Sequence, residues 1–290
     1  MEDIQIDPEL CIMCEACIDI CVRRHLTRDD DTIKVSPDPC NLCGHCKAIC
    51  PENAITLSGL NDEECVPTPS PEDIPAPDAL LAFFRSRRST RRYKKDPVER
   101  EKIAQIIEAG RFSPTGGNRQ SLEYTVVEKP EILHKIRDRC IEFHAKGSER
   151  TLSWLAEKEK KGETLTGADQ AMKAYAQVWP FRLQLNKQGV DTLFFHAPVL
   201  IVVHADVEAS PGPEIDAGLA AMQMGLLAEA QGLGTCYNGF LIGAAQQSAE
   251  LKQLMQIPEK NLPVVSMVTG YPNVTYERLV SRNPARIQWI

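Results

Sequence analysis

The stretch CNLCGHCKAICP, residues 40–51, sets four cysteines at C-x2-C-x2-C-x3-C and closes with a proline. The same spacing occurs earlier in CIMCEACIDIC, residues 11–21, where Val22 stands in the place of the proline. Eight of the eleven cysteines therefore lie before residue 51, in two runs that match position for position. Disulfide frameworks belong to secreted chains, and the opening MEDIQIDPEL is acidic, without the apolar run a signal peptide needs. The regular spacing points instead to metal ligation in a reducing compartment, so a cytoplasmic location is expected. Zinc also uses paired C-x2-C motifs, with His45 available as a further ligand. It takes four ligands per site, however, and has no need of two quartets with identical spacing. His25 and His45 read as solvated or polar-packed residues.

Residues 1–60 resemble the two-cluster bacterial ferredoxins over nearly their whole length. The resemblance implies that Cys11, Cys14, Cys17 and Cys50 hold one [4Fe-4S] cluster and that Cys40, Cys43, Cys46 and Cys21 hold the other, the fourth cysteine of each run serving the opposite cluster. Three β-type pieces, DIQI, TIKV and AITL, can frame two such loops. A ferredoxin transfers electrons and has no substrate pocket of its own. The remaining residues are expected to be its redox partner.

Charge divides the chain further. Residues 1–60 carry 11 acidic and 5 basic side chains, residues 61–77 carry 5 acidic and none basic, and the remainder carries 24 acidic and 28 basic. A mildly basic body behind an acidic head suits intramolecular docking or an anionic ligand on the body. Between them, NDEECVPTPSPEDIPAP (61–77) has five prolines and almost no large apolar residues, which marks an extended linker. At roughly 3.1 Å per residue it could reach on the order of 50 Å. Cys65, alone in this stretch, reads as a free thiol. No run is apolar enough for a membrane span, since Asp216, Gln223 and Glu229 interrupt the most apolar later stretch.

The body from residue 78 reads as α+β. Asp78 is placed to cap an apolar helix, and Asp96-Pro97 to start a second, with Ile103, Ile106 and Ile107 on one face. Strands are expected at YTVVE, APVLIVVHA and PVVSMVTG, and helices near 130–145, 148–160, 168–188 and 214–231. The last of these is Ala-, Gly-, Met- and Leu-rich around much of its circumference, as in a helix buried at a domain centre or subunit interface, with Gly232 and Gly234 as its stops. Seven of the eleven residues from Arg85 to Lys95 are basic. Ser89 and Thr90 between arginines supply hydroxyl and guanidinium donors for one compact phosphate, whereas nucleic-acid surfaces spread basic and aromatic groups over an area. A phosphate-bearing cofactor is therefore expected, and no nucleic acid.

The segments RRSTRRY, SPTGGNRQ, APVLIVV, GLGTCYNGF, TGYP and SRNP, in that order, resemble the FMN-dependent nitroreductases from about residue 80 to the end. The resemblance implies a central, mainly antiparallel sheet surrounded by helices. It implies that Arg87, Arg88, Ser89 and Arg91 bind the FMN phosphate and ribityl chain, joined by Arg282. Pro114, Thr115, Gly116 and Asn118 would come from the second subunit of an intertwined homodimer with FMN at its interface. Cys236, Tyr237, Asn238 and Gly239 would lie along the isoalloxazine ring, and Asn186 is a further flavin candidate. Two features depart from the pattern: Gln120 is followed by Ser121 and Leu122 rather than Pro-Trp, and the helical insert around residues 148–170 has no clear counterpart. Cys140 and Cys236 read as small buried residues, neither beside an obvious base.

The expected domains are thus a two-cluster ferredoxin (1–60), a linker (61–77) and an FMN-binding domain (78–290). The expected activity passes electrons through two [4Fe-4S] clusters to FMN and on to a small planar acceptor such as a nitroaromatic or quinone, with an external ferredoxin or another donor upstream. The alternative is an electron relay serving a partner protein. G-x-G-x-x-G after a strand and G-x-S-x-G are both absent, so neither a Rossmann nicotinamide site nor acyl transfer is expected.

Overall fold

The computed structural model describes residues 3–290. Its contacts divide the chain into two compact units, one running to Ala76 and including Gly117–Arg119, the other Pro77–Gly116 with Gln120–Ile290. Among the described residues no helix is long and apolar enough to cross a membrane.

The first unit contains β1 (Ile4–Ile6), α1 (Ala16–Ile20), β2 (Leu26–Asp29), β3 (Thr32–Val35), α2 (His45–Ile49) and β4 (Ile55–Leu57). β1 pairs antiparallel with β4, Ile4 opposite Leu57, and β2 with β3, Leu26 opposite Val35. Ile4, Leu26, Ile55 and Leu57 form its small core together with Cys17 and Cys46, so two cysteines are structural members of the apolar cluster. β2 was not expected from its sequence, LTRD, because only Leu26 is buried and no alternation shows. Residues 61–76 are exposed throughout but not featureless: short 3-10 turns form at Asp62–Glu64 and Pro71–Asp73, the second closed by hydrogen bonds between Ser70 and Asp73.

The second unit runs α3 (Pro77–Ser86), α4 (Arg100–Arg111), β5 (Leu122–Val127), α5 (Pro130–Lys160), α6 (Gly167–Lys187), β6 (Val199–Asp206), α7 (Pro213–Ala230), β7 (Gly234–Tyr237), α8 (Gly239–Ala245), α9 (Ala249–Leu254) and β8 (Asn261–Gly270). Its sheet has the order β5-β6-β8-β7 and is antiparallel at every pairing. β6 explains the architecture. Leu200 and Val202 join a cluster with Ile136, Trp179 and Leu241, whereas Val199, Ile201 and Val203 join Ile103, Ile106 and Met224 on the other face. Alternate residues are buried on opposite sides, so the strand reads as an unbroken apolar run. Each such side chain contributes about 1.5–3 kcal/mol on burial.

Four expectations need correction. α3 opens at Pro77, which puts Asp78 in its first turn and not at its N-cap. α4 starts at Arg100, not at Asp96-Pro97, because the residue before a proline disfavours helical torsions and Val98 turns into the core. The helices expected at 130–145 and 148–160 are one 31-residue helix, α5. Gly147, which lies between the two expected stretches, is carried through the helix, with Ala145 and Ser148 near it buried. Gly232, at φ +76°, does end α7, but Gly234 opens β7. A Cβ at Gly234 would lie 2.5 Å from Thr90 Oγ1, so this glycine lets the segment 87–91 approach the strand.

A buried polar group sits at one end of the sheet. The Asn261 side-chain amide donates to His204 Nδ1 at 2.9 Å and to Glu123 Oε1 at 2.8 Å, which makes His204 Nε2 the donor to Thr125 Oγ1 at 3.1 Å. Burial holds the His204 ring below the ordinary 6.5, Glu123 opposing and Lys252 assisting, and burial lowers His144 likewise. Both rings give up their proton more readily in the folded chain than in the unfolded one, so the unfolded chain binds more protons as the pH drops through about 6.5. Stability is therefore full above that value and falls as the pH falls through it. The urea midpoint of the body is expected to be lower at pH 5.5 than at 7.5; equal midpoints would refute the assignment.

Candidate functional site

The two cysteine runs fold alike. Each places its third cysteine, Cys17 or Cys46, in a five-residue helix, α1 or α2, and its fourth, Cys21 or Cys50, at the extended C-cap. Left-handed torsions recur with them, at Met13, Glu15 and Arg24 in the first half and at Leu42, Gly44 and Asn53 in the second, each pair 29 positions apart as the cysteines are. The sulfurs also receive matching bonds: His25 N–H donates to Cys21 Sγ and Ala54 N–H to Cys50 Sγ, both at 3.3 Å, and Leu42 N–H donates to Cys40 Sγ at 3.3 Å. Amides aimed at sulfur suit a cluster ligand, since outer hydrogen bonds stabilise its negative charge.

Cys11, Cys14, Cys17 and Cys50 line one pocket, between Ile6 and Ile55. The fourth cysteine of the second run thus sits with the first three of the first run. Burial raises the Cys17 thiol, with Cys11 and Cys14 adding to it; burial likewise takes Cys46 up to about 11, with Cys40 and Cys43 adding and the Lys47 N–H opposing. Crowded thiolates need a positive centre to coexist. Among the described residues no three His, Cys, Asp or Glu side chains converge as a single-ion site. A cubane gives each cysteine its own iron, and the four cysteines that share one pocket, Cys11, Cys14, Cys17 and Cys50, fit that donor set. His25 is buried with Nε2 3.0 Å from the Pro39 carbonyl oxygen, and His45 is exposed.

In the second unit, residues 87–91 run extended beside β7. Thr90 N–H donates to the Thr235 carbonyl at 2.8 Å, and Ser89 forms a β-bridge with Thr235. Alternate side chains point opposite ways. The Arg87 guanidinium lies 5.7 Å from the Tyr237 ring centre, and its Nη1 is enclosed with no hydrogen-bond partner. Arg91 lies 5.9 Å from the Phe195 ring centre. Burial raises the Cys236 thiol, while Arg91, Ser89 and Arg87 draw it back down. Arg88 instead lies over Tyr276 at 5.2 Å, in a separate 400 Å³ cavity with Arg85 and Arg278.

The remaining flavin candidates are placed as follows. Tyr237 donates its hydroxyl to the Ala221 carbonyl at 2.6 Å, and any Cβ at Gly225 would overlap that hydroxyl. Asn238 caps α8, accepting from Leu241 N–H at 3.3 Å and donating to the Leu193 carbonyl at 2.8 Å. Tyr237, Asn238 and Gly239 line an open 330 Å³ cleft against Ala221, Met222 and Val265. Pro114, Thr115, Gly116 and Asn118 form the turn after α4: Gly116 N–H donates to Asp216 Oδ1, Gln120 N–H donates to Thr115 Oγ1, both at 3.0 Å, and Asn118 has φ +54°. Asn186 lies in the last turn of α6, where it donates to Asp138 Oδ1 at 2.9 Å. Arg282 is in the exposed C-terminal segment and donates to the Ser281 carbonyl at 3.3 Å. Cys140 is fully buried, and burial takes its thiol up to about 12.

A profile described as Nitroreductase family matches residues 84–271. The chain belongs to the nitroreductase family. A 4Fe-4S binding domain profile matches residues 32–55, ahead of it. Among curated relatives of this nitroreductase-family chain, the FMN reductase [NAD(P)H] of Bacillus subtilis (strain 168) is 26% identical, over 67% of this chain and 66% of its own length. The 4-nitrobenzoate reductase of Pseudomonas putida is 25% identical, over 67% of this chain and 84% of its own. The chain thus spans just under two thirds of the Bacillus relative. A nitroreductase with bound FMN from Bacteroides fragilis NCTC 9343 shares the fold, with a TM-score of 0.52 at 19% identity over 72% of this chain and 98% of that one.

Within the nitroreductase-family unit, two positioning residues escaped the sequence reading. Asp216, buried in α7, fixes the turn after α4 through Gly116 and also accepts from Ser210 Oγ at 3.0 Å. Asp191 accepts three N–H bonds, from Leu193, Phe194 and His196 at 2.8–3.1 Å, and so braces the loop whose Phe195 and His196 both have positive φ. An aspartate two residues after Gly189 is a turn signal that could have flagged the second.

Proposed function

We propose that this chain is an iron–sulfur flavin oxidoreductase with residues 1–60 holding two [4Fe-4S] clusters, 61–77 linking, and 78–290 holding FMN, and that it reduces a small planar acceptor such as a nitroaromatic or quinone. The observation that carries the flavin half is Arg87: an enclosed guanidinium nitrogen without an acceptor fits a missing phosphate oxygen. FMN supplies one- and two-electron chemistry and the clusters single electrons, which is the use of joining them on one chain.

The chain's own residues bind and orient. Arg87, Ser89 and Arg91, on one side of an extended segment, grip the phosphate and ribityl chain; Arg88, which faces the other cavity, and Arg282, in the exposed C-terminal segment, join them only by reorienting their side chains. The backbone of Cys236, Tyr237, Asn238 and Gly239 runs along the ring, held rigid by the Tyr237 and Asn238 side-chain bonds to Ala221 and Leu193. Ile215, Leu219 and Met222 leave an apolar stripe on the exposed face of α7, which supports a homodimer whose second subunit brings Pro114, Thr115, Gly116 and Asn118 to the flavin. Asn186 stays a weaker flavin contact in this reading. The expected location is the cytoplasm, with an external ferredoxin or another small donor feeding the head.

Anaerobic purification followed by iron, sulfide and flavin assays tests the composition: about eight irons and one FMN per chain are expected from two cubanes and one flavin site. Turnover of a nitroaromatic or quinone with dithionite or reduced ferredoxin as donor tests the activity. Reduction of a protein acceptor alone would favour the relay, and a colourless protein would sink both.

A further inference from the structure

One break in the twofold repeat of the first unit buries a lysine. Lys47, in α2 directly after Cys46, corresponds to Ile18 in α1. Its side chain is only 6% exposed, and its ammonium points inward. Nζ donates to the Ile55 carbonyl at 2.9 Å and to Asn53 Oδ1 at 3.1 Å, and pairs with Asp62 Oδ1 at 3.2 Å. Three donors thus meet three acceptors, which is what an ammonium needs in order to stay charged away from water. Only one of the acceptors is anionic. Asp62 is half exposed, so water screens the carboxylate more than it screens the lysine.

The place of this cation matters more than its bonds. Asn53 and Ile55 flank Ala54, whose N–H donates to Cys50 Sγ, while the lysine's own backbone N–H serves the Cys46 sulfur. One ammonium therefore ties the helix that carries Cys46 to the turn that presents Cys50, a member of the other quartet. The first half has an apolar side chain at the matching position and no such charge.

Resting on the cluster reading above, we infer that Lys47 is an electrostatic positioning residue: its fixed charge favours the reduced, more negative form of the iron–sulfur centres, and Asp62 on the linker side partly offsets it. A positive charge near a one-electron centre raises its potential, and the neighbouring carboxylate lowers it. The two residues must then act with opposite signs.

Redox titration of the anaerobic holoprotein, followed by electron paramagnetic resonance, is the test. Lys47→Met should shift the reduction equilibrium of at least one cluster about three- to tenfold towards the oxidised form, about 30–60 mV downward at 59 mV per tenfold for one electron. Asp62→Asn should shift it upward, and Lys47→Arg should restore most of the wild-type value. A purely structural role would lower iron content or melting temperature without this reversal of sign. If Lys47→Met does not load iron, the exposed-site variant Asp62→Asn still decides, because an unchanged or lowered potential there overturns the inference. Wild-type protein without iron overturns the cluster reading and this inference together, whereas loaded clusters with unmoved potentials overturn the inference alone.

Discussion

Replacing Arg87 by methionine is expected to weaken FMN binding by a factor of about 30 to 150, measured by flavin fluorescence on reconstitution. A charge-assisted contact to phosphate is worth about 2–3 kcal/mol, and each 1.4 kcal/mol is tenfold in affinity. The flavin-free chain should respond in the opposite direction. Arg87 Nη1 is enclosed without an acceptor, and a buried donor left unpaired costs about 1–3 kcal/mol; methionine keeps an unbranched apolar stem and removes the donor. The melting temperature of apo Arg87→Met should therefore exceed that of apo wild type while its flavin affinity collapses. A guanidinium nitrogen held without an acceptor until a phosphate arrives is a stability cost tied to function. If affinity and apo stability fall together, Arg87 is an ordinary structural arginine.

The second large effect concerns ligand sharing. Cys50→Ser should remove about half of the iron, about four of eight atoms, because a cubane normally needs all four thiolates. The informative comparison is between double variants. Cys50 lines the same pocket as Cys11, Cys14 and Cys17. Cys11→Ser with Cys50→Ser should therefore lose no more iron than either single change, whereas Cys46→Ser with Cys50→Ser should lose nearly all of it. The reverse pattern would show that each run serves its own cluster. Non-additivity of this kind is what residues acting on one site produce.

Much of the molecule was legible from residue types alone. The cysteine runs carried the first unit because ligand spacing is nearly independent of tertiary context. β6 and β8 were visible because long apolar runs have few alternatives. The failures have local causes. β2 buries one residue in four, and no pattern rule detects a strand whose outer face is all polar. α5 reads as two stretches in the sequence, yet it runs through Gly147, because an isolated glycine costs a helix only about 1 kcal/mol, less than the packing on either side of it returns. Arg87 and Arg88 looked equivalent in RRSTRRY. Their separation follows from the period of an extended backbone, and the apolar β7 that holds it extended opens with a glycine easily taken for a helix stop. Asn186 sits near the C-terminal end of α6, where its side chain is engaged by Asp138, a residue 48 positions away that no local rule could have paired with it.

The left-handed torsions at Met13, Glu15, Arg24, Asp30, Leu42 and Asn53 also have a cellular consequence. Each costs a side-chain-bearing residue on the order of 1 kcal/mol, and the apolar cluster beneath them contains, among the described residues, only six buried ones, two of which are proposed ligands. On the proposed cluster reading, coordination supplies the difference. A cell starved of iron would accordingly make a protein whose front end is open to proteases while the rest stays intact, so that a trimmed species missing about 60 residues would report on metal supply.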